Sequence, residues 1–216
     1  MDHSLNEIEA LAKRAARGAG LSWGMAEEAG KATRWLASHD LPGTGLLADV
    51  LTQNESIPPR DIAPAGLEGI WSASSGTLCP LASGAALTDC AGRLGDGRSI
   101  EMVQVSHPLL VVPFAAWAAL EIAAPVRVIW QSVHITTDGQ GIWVDDPMSQ
   151  IDQTGAVSLT CARVGTVTGQ SSLPAMRANV SQSSLDRLNV FAERTYAPAT
   201  AASRLLGAGA GTSDND

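Results

Sequence analysis

An α+β fold, with helices at both ends of the chain around a mixed or antiparallel sheet, is what the sequence predicts, on three observations. Residues 4–53 carry apolar positions at helical spacing, with caps and glycine stops. From residue 68 the texture changes to short β-type runs broken by glycine, and residues 183–206 return to helical spacing. At 216 residues the chain is long enough for one domain with a buried core. That domain is expected over residues 1–206, with a helical part (1–53), a sheet-rich part (66–180) and C-terminal helices (183–206), followed by a glycine-rich acidic end at 207–216.

Each element has its own signal. Ser4 and Glu7 have capping-box spacing, and Ile8, Leu11, Ala12, Ala15, Ala16 and Ala19 then share one helical face, so a first helix is predicted, ended by Gly18 and Gly20. On its other side Glu9, Lys13 and Arg17 recur every four residues, predicting one favourable pair and a stripe facing solvent or a partner. Ser22 caps a second helix in which Glu27 and Glu28 precede Lys31 and Arg34, the order the helix dipole prefers. Its Ala26, Gly30, Thr33 and Ala37 make a face of small side chains, which predicts an antiparallel pair with the first helix. After Pro42-Gly43, residues 46–51 read as a short third helix, and residues 54–64, with three prolines, as a loop.

Farther on, residues 100–105 read as a strand, and Pro113 suits the first turn of a helix reaching about residue 123, where Pro125 prevents continuation. Residues 126–137 are rich in β-branched side chains and read as one strand. Asp138-Gly139-Gln140-Gly141 supplies a turn, and 142–144 return as the hairpin partner. Residues 156–164 and 173–180 read as further strands. Ser183 and Asp186 open a helix carrying Leu188, Ala192 and Thr195, and Pro198 sits where a final helix to residue 206 begins.

Composition removes several function classes. A net charge of -8 without basic clusters argues against nucleic acid or an anionic membrane as partner. The most apolar run, residues 109–120, contains Pro113, stops at Glu121 and falls short of the roughly 20 residues a membrane span needs. Met1-Asp2-His3-Ser4 lacks the basic and apolar pattern of a secretion signal. Cys79, Cys90 and Cys161 are odd in number and lack metal-ligand spacing, so they read as reduced thiols of a cytoplasmic protein. No metal site and no cofactor follow from these residues.

The candidate ligand pocket gathers Trp23, Glu27, His107, Tyr196, Arg204, Asp214 and Asp216. Trp23 sits beside Gly24 at a helix start, a place to line a pocket or simply to cover the core. His107 follows a strand and precedes Pro108, where it faces a cleft or makes structural hydrogen bonds; His134, within the hairpin, is the weaker histidine. Cys79 follows the polar loop Ser74-Ser75-Gly76-Thr77, which could lead to a pocket, and a buried inert thiol is its ordinary reading. Ser74 and Ser75 are outside any Gly-x-Ser-x-Gly elbow. Tyr196 and Arg204 flank Pro198. The closing GAGAGTSDND follows a helix rather than preceding one, so the helix's negative end and Asp214 and Asp216 disfavour phosphate; it reads as a tail or as an acidic strand binding a cation, an amine or a neighbouring arginine.

Residues 14–28 (RAARGAGLSWGMAEE), Ser106-His107-Pro108-Leu109-Leu110 and residues 194–216 resemble an uncharacterised bacterial domain-of-unknown-function family common in proteobacteria, which implies that the glycine and aspartate end belongs to the family pattern and transfers no activity. Residues 19–51, with Asp40-Leu41-Pro42-Gly43, are similar to the N-terminal part of malate/L-lactate dehydrogenases. That family continues into Ser-His-Gly with a catalytic histidine, where this chain has Thr44-Gly45-Leu46. Three functions stand in order: a cytoplasmic homo-oligomer, joined through the small-residue face of helix two, that binds or transforms a small metabolite; a non-catalytic accessory or assembly subunit, with the acidic end and the Lys13/Arg17 stripe as partner surfaces; and a degenerate dehydrogenase relative.

Overall fold

In the computed structural model, residues 2–145, 151, 153–167 and 171–196 are described. Strand β1 (Asp2–Ser4) leads into α1 (Leu5–Gly18), whose capping box is formed: the Glu7 amide donates to Ser4 Oγ at 3.2 Å and the Ser4 amide to the Glu7 carboxylate at 2.9 Å. The Ser4 hydroxyl also donates to that carboxylate at 2.8 Å, and the two bonds from Ser4 to the carboxylate, the backbone one contributing most, hold the Glu7 carboxyl below its usual range. Ile8, Leu11, Ala12, Ala15 and Ala16 are buried as their spacing required.

Helix α2 (Trp23–Ser38), capped by Ser22, runs antiparallel to α1, tied by Lys13–Glu27 at 2.6 Å and Glu9–Arg34 at 2.7 Å. The charged stripe of α1 therefore neither pairs within its own helix nor faces solvent alone; it reaches across to α2. The small-residue face does what the antiparallel pair demands. A Cβ at Gly30 would stand 3.1 Å from the Glu9 carbonyl, and Ala26, Thr33 and Ala37 are buried. Because α1 already occupies this face, it is not available as a contact between two copies of the chain, which corrects that expectation.

Asp40, with φ of 58°, turns the chain into α3 (Gly43–Gln53), which extends past the predicted 46–51 at both ends. The proline-rich segment expected as a loop holds one helical turn, α4 (Pro59–Ile62). Two further helices, α5 (Pro80–Asp89) and α6 (Ala91–Gly95), correct the reading of residues 80–95 as β-type, and α7 (Val112–Glu121) follows a 3₁₀ turn at Pro108–Val111. Gly84 and Phe114 explain how α5 and α7 come so close: a Cβ at Gly84 would lie 2.6 Å from Phe114 Cγ.

The main sheet has six strands in the order β2 (Ile70–Trp71), β3 (Ile100–Ser106), β7 (Gly155–Arg163), β4 (Val126–Trp130), β5 (Val133–Thr137) and β6 (Ile142–Val144). It is mixed, since β2 joins β3 in parallel while the other neighbours are antiparallel. Residues 126–137 are two strands rather than one. Trp130 pairs with Val133 across Gln131-Ser132, and Gln131 adopts φ of 48° where hairpins usually place glycine or asparagine, so the turn carries no composition signal. The Asp138–Gly141 turn then delivers β6 as expected, with Asp138 Oδ1 accepting from the amides of Gln140 and Gly141.

Helix α7 lies on β4 and β5, and α5 contacts β3. Trp71, Trp130, Phe114 and Met102 are fully buried in this layer. On the other side of the molecule, β8 (Arg177–Asn179) pairs with β1, and α8 (Gln182–Glu193) packs along α1 and α3. Ser181, not Ser183, caps α8, and Thr195 lies past its end. Arg187–Asp49 at 2.6 Å and Arg194–Glu55 at 2.7 Å run alongside α3. The fold is thus α+β with helices at the described ends. The predicted helix at 198–206, the glycine-rich end, and with them Arg204, Asp214 and Asp216 lie outside the described residues. Among the described residues no helix is long and apolar enough to cross a membrane.

Candidate functional site: an apolar cavity beside helix α5

The site grows out of the start of α5. Leu78 bridges Val105 of β3, which fixes the chain just before the helix, and the Cys79 amide donates to the Ile62 carbonyl at 2.9 Å. Pro80 then occupies the first turn, where its missing N–H costs nothing. From here α5 shows two different faces. Leu81, Gly84 and Leu87 are buried, with Gly84 set against Phe114. Ala82, Ala85, Ala86 and Asp89, at helical spacing, line the opposite space.

That space is a cavity of about 530 Å³. Facing the alanine stripe, Val50, Leu51 and Asn54 come from the last turns of α3, and Ile57, Pro59 and Ile62 from the segment around α4. The end of α1 and the start of α2 close a third side with Ala19, Gly20, Leu21 and Met25. Gly20 ends α1 with φ of 95°, a value a side chain rarely accepts, and so directs Leu21 into the wall. The volume exists because three alanines stand where leucine-sized residues would fill it. Gly20, Ser56, Pro59 and Asp89 are exposed and form its rim.

Polar groups in the cavity are few. Cys79 is buried at the N-terminal end of α5; burial pushes its thiol up, while the amides of Ala82 and Leu81 and the Asn54 side chain hydrogen-bond the sulfur and pull the other way. The thiol is therefore neutral at physiological pH, and no histidine is among the described lining residues to take its proton. Such a site binds through shape and apolar contact, with Asn54, Ser56 and Asp89 left to orient a polar end.

Of the residues singled out from sequence, Cys79 lines this cavity, whereas Trp23, Glu27, His107 and Tyr196 lie outside it. Trp23 is 67% exposed, with the Arg17 guanidinium 4.4 Å above its ring. Glu27, four residues on, is hydrogen-bonded by Lys13, and that bond holds its carboxyl below the usual range. Tyr196 is exposed and its hydroxyl accepts from Arg14 at 3.1 Å, so it too belongs to the surface of α1.

His107 is placed differently: it is buried, adopts φ of 43°, donates its amide to the Thr154 carbonyl at 3.0 Å, and leaves Nδ1 without a partner among the described residues. Burial lowers its pKa, the Asp49 carboxylate opposes this, and Arg187 reinforces it. His39 went unnoticed in the sequence although it joins two elements, its Nδ1 lying 2.9 Å from the Trp35 carbonyl and its Nε2 3.1 Å from that of Gln140. All three cysteines are free. Among the described residues no three histidine, cysteine or acidic side chains are grouped as a metal site requires.

Known families bear on one part of the chain. Residues 3–79 match the model of a family described as a protein of unknown function (DUF3726). The match takes in α1 through α4 and ends at Cys79, so it covers every wall of the cavity except α5. It agrees with the resemblance of these residues to an uncharacterised family. No curated protein and no solved structure matches the chain. His39 to Pro42 form the turn between α2 and α3, and Thr44-Gly45-Leu46 lie in the first turn of α3, with Thr44 buried.

Proposed function

We propose that this protein binds a small molecule with a predominantly apolar body in the cavity between the α1–α2 turn, α3, α4 and α5. One observation carries the reading: a space of about 530 Å³, within the range of metabolite and cofactor sites, is kept open by Ala82, Ala85 and Ala86 on a helix that is otherwise packed into the core. An unfilled apolar cavity forfeits contacts that a folded chain could have made, so small residues on the wall favour retention for an occupant. The neutral thiol of Cys79, with no base beside it among the described residues, favours binding over nucleophilic chemistry. Free cysteines support a reducing, cytoplasmic setting. If copies associate, they do so through a surface other than the small-residue face of α2, which α1 fills.

The reading is tested by calorimetric titration of the full chain with neutral medium-chain alcohols and arylalkanols, in parallel with Ala85→Leu. Saturable binding that Ala85→Leu weakens is the expected result. Absence of binding across the series, or binding indifferent to that substitution, overturns it.

A further inference from the structure

We infer that the ligand of this cavity is an amine, bound with its apolar body between the alanine stripe of α5 and the end of α3 and its ammonium at the rim beside Asp89; the inference rests on the binding reading above. Asp89 and the ends of α3 and α5 give the rim one electrical sign. Asp89 is the last residue of α5, is exposed, and makes no ion pair among the described residues. Asn54, on the cavity wall, is the C-cap of α3, and Ala19, also on the wall, is the C-cap of α1. Three helices therefore end at one cavity, and a helix C-terminus presents unsatisfied carbonyls and the negative pole of its dipole.

The cations near the rim already have partners. Arg17 donates to the Leu21 carbonyl and covers the Trp23 ring, and Arg93 donates to the Leu67 carbonyl and pairs with Glu68 at 2.6 Å. Arg17 stands in the last turn of α1 and offsets that helix's negative end, whereas neither α3 nor α5 carries a basic residue in its last turn. A carboxylate or phosphate ligand would meet Asp89 and the negative ends of α3 and α5; an ammonium would be hydrogen-bonded by the carboxylate and attracted by both helix ends. Asn54 and Ser56 remain to accept its further N–H groups. The apolar walls supply affinity, and the rim decides charge.

The experiment uses the full chain and three probes of matched length: n-octylamine, 1-octanol and octanoate, titrated calorimetrically at neutral pH and low ionic strength. The amine is expected to bind about tenfold or more tightly than octanoate, with octanol between them, and added salt should narrow the gap. Asp89→Asn, an exposed change at a helix end, should cut amine affinity about two- to fivefold, raise octanoate affinity and leave octanol unchanged. Octanoate binding as well as the amine, or Asp89→Asn leaving the order intact, overturns the inference while the binding reading stands. If none of the probes binds, both fail.

Discussion

Placing leucine at Ala85 should move stability and binding in opposite directions. The substitution adds three carbons to a wall that faces empty space rather than packed atoms. Filling a cavity of this kind typically adds about 0.5–2 kcal/mol to folding, and in a domain of this size each kcal/mol raises Tm by about 2–4 °C. The same three carbons take the place of ligand atoms, and at about 0.8 kcal/mol per displaced methylene the loss is about 2.4 kcal/mol, close to 60-fold in Kd. Thermal denaturation and calorimetric titration with a bound probe such as n-octylamine give the two readouts on one sample. Ala115→Leu is the control: Ala115 on α7 is fully buried against packed atoms, so the identical change there should overpack and cost about 1–3 kcal/mol. If Ala85→Leu lowers Tm as Ala115→Leu does, the space at α5 is not available to a side chain, and the argument for a ligand loses its foundation.

Other consequences can be read on the same protein. Cys90, the half-buried thiol, should react first with an aromatic disulfide reagent; Cys161, fully buried and pushed up to about 12, should react only on unfolding, and Cys79 slowly, with protection by a cavity ligand, so equal rates for all three would contradict the packing. His107 has a folded pKa below its unfolded value of about 6.5, so the unfolded chain takes up its proton first and stability should fall as pH drops below that value. His107→Asn keeps a residue tolerant of φ of 43° and removes the titration, so denaturant curves at pH 7.5, 6.5 and 5.5 should show a shallower decline; parallel wild-type and variant profiles would refute burial of a neutral imidazole beside Asp49 and Arg187. Gly84→Ala should destabilise by about 1–2 kcal/mol, overpacking against Phe114 exceeding the gain in helix propensity. Phe114→Leu should recover part of that loss in a double-mutant cycle; additive losses would place the strain elsewhere.

Much of the helical half could be read from local chemistry because the signals there are short-range. The capping box at Ser4 and Glu7, the Ser22 cap and the small face of α2 each depend on residues within one or two turns, and each is found in place. Misreadings arise where the deciding partner is distant. The hairpin at Gln131-Ser132 is imposed by pairing of β4 with β5 and β7, which holds a glutamine in the left-handed region without any local marker. Residues 80–95 carry glycines that look like breaks between short strands, yet Gly84 is a contact residue that lets Phe114 approach, and its role depends on a helix distant in sequence.

The candidate site suffers from the same difficulty in sharper form. Trp23, Glu27 and Tyr196 attract notice because they are chemically conspicuous, and each is engaged by an arginine or lysine of α1 at the surface. The cavity instead depends on what is missing, three methyl side chains at positions 82, 85 and 86 with an aspartate at 89. An Ala-x-x-Ala-Ala-x-x-Asp spacing was present to be seen. It acquires meaning only when α3, α4 and the α1–α2 turn stand opposite, because a small side chain marks a cavity where its neighbours cannot collapse onto it and marks ordinary close packing, as at Gly30 and Gly84, where they can.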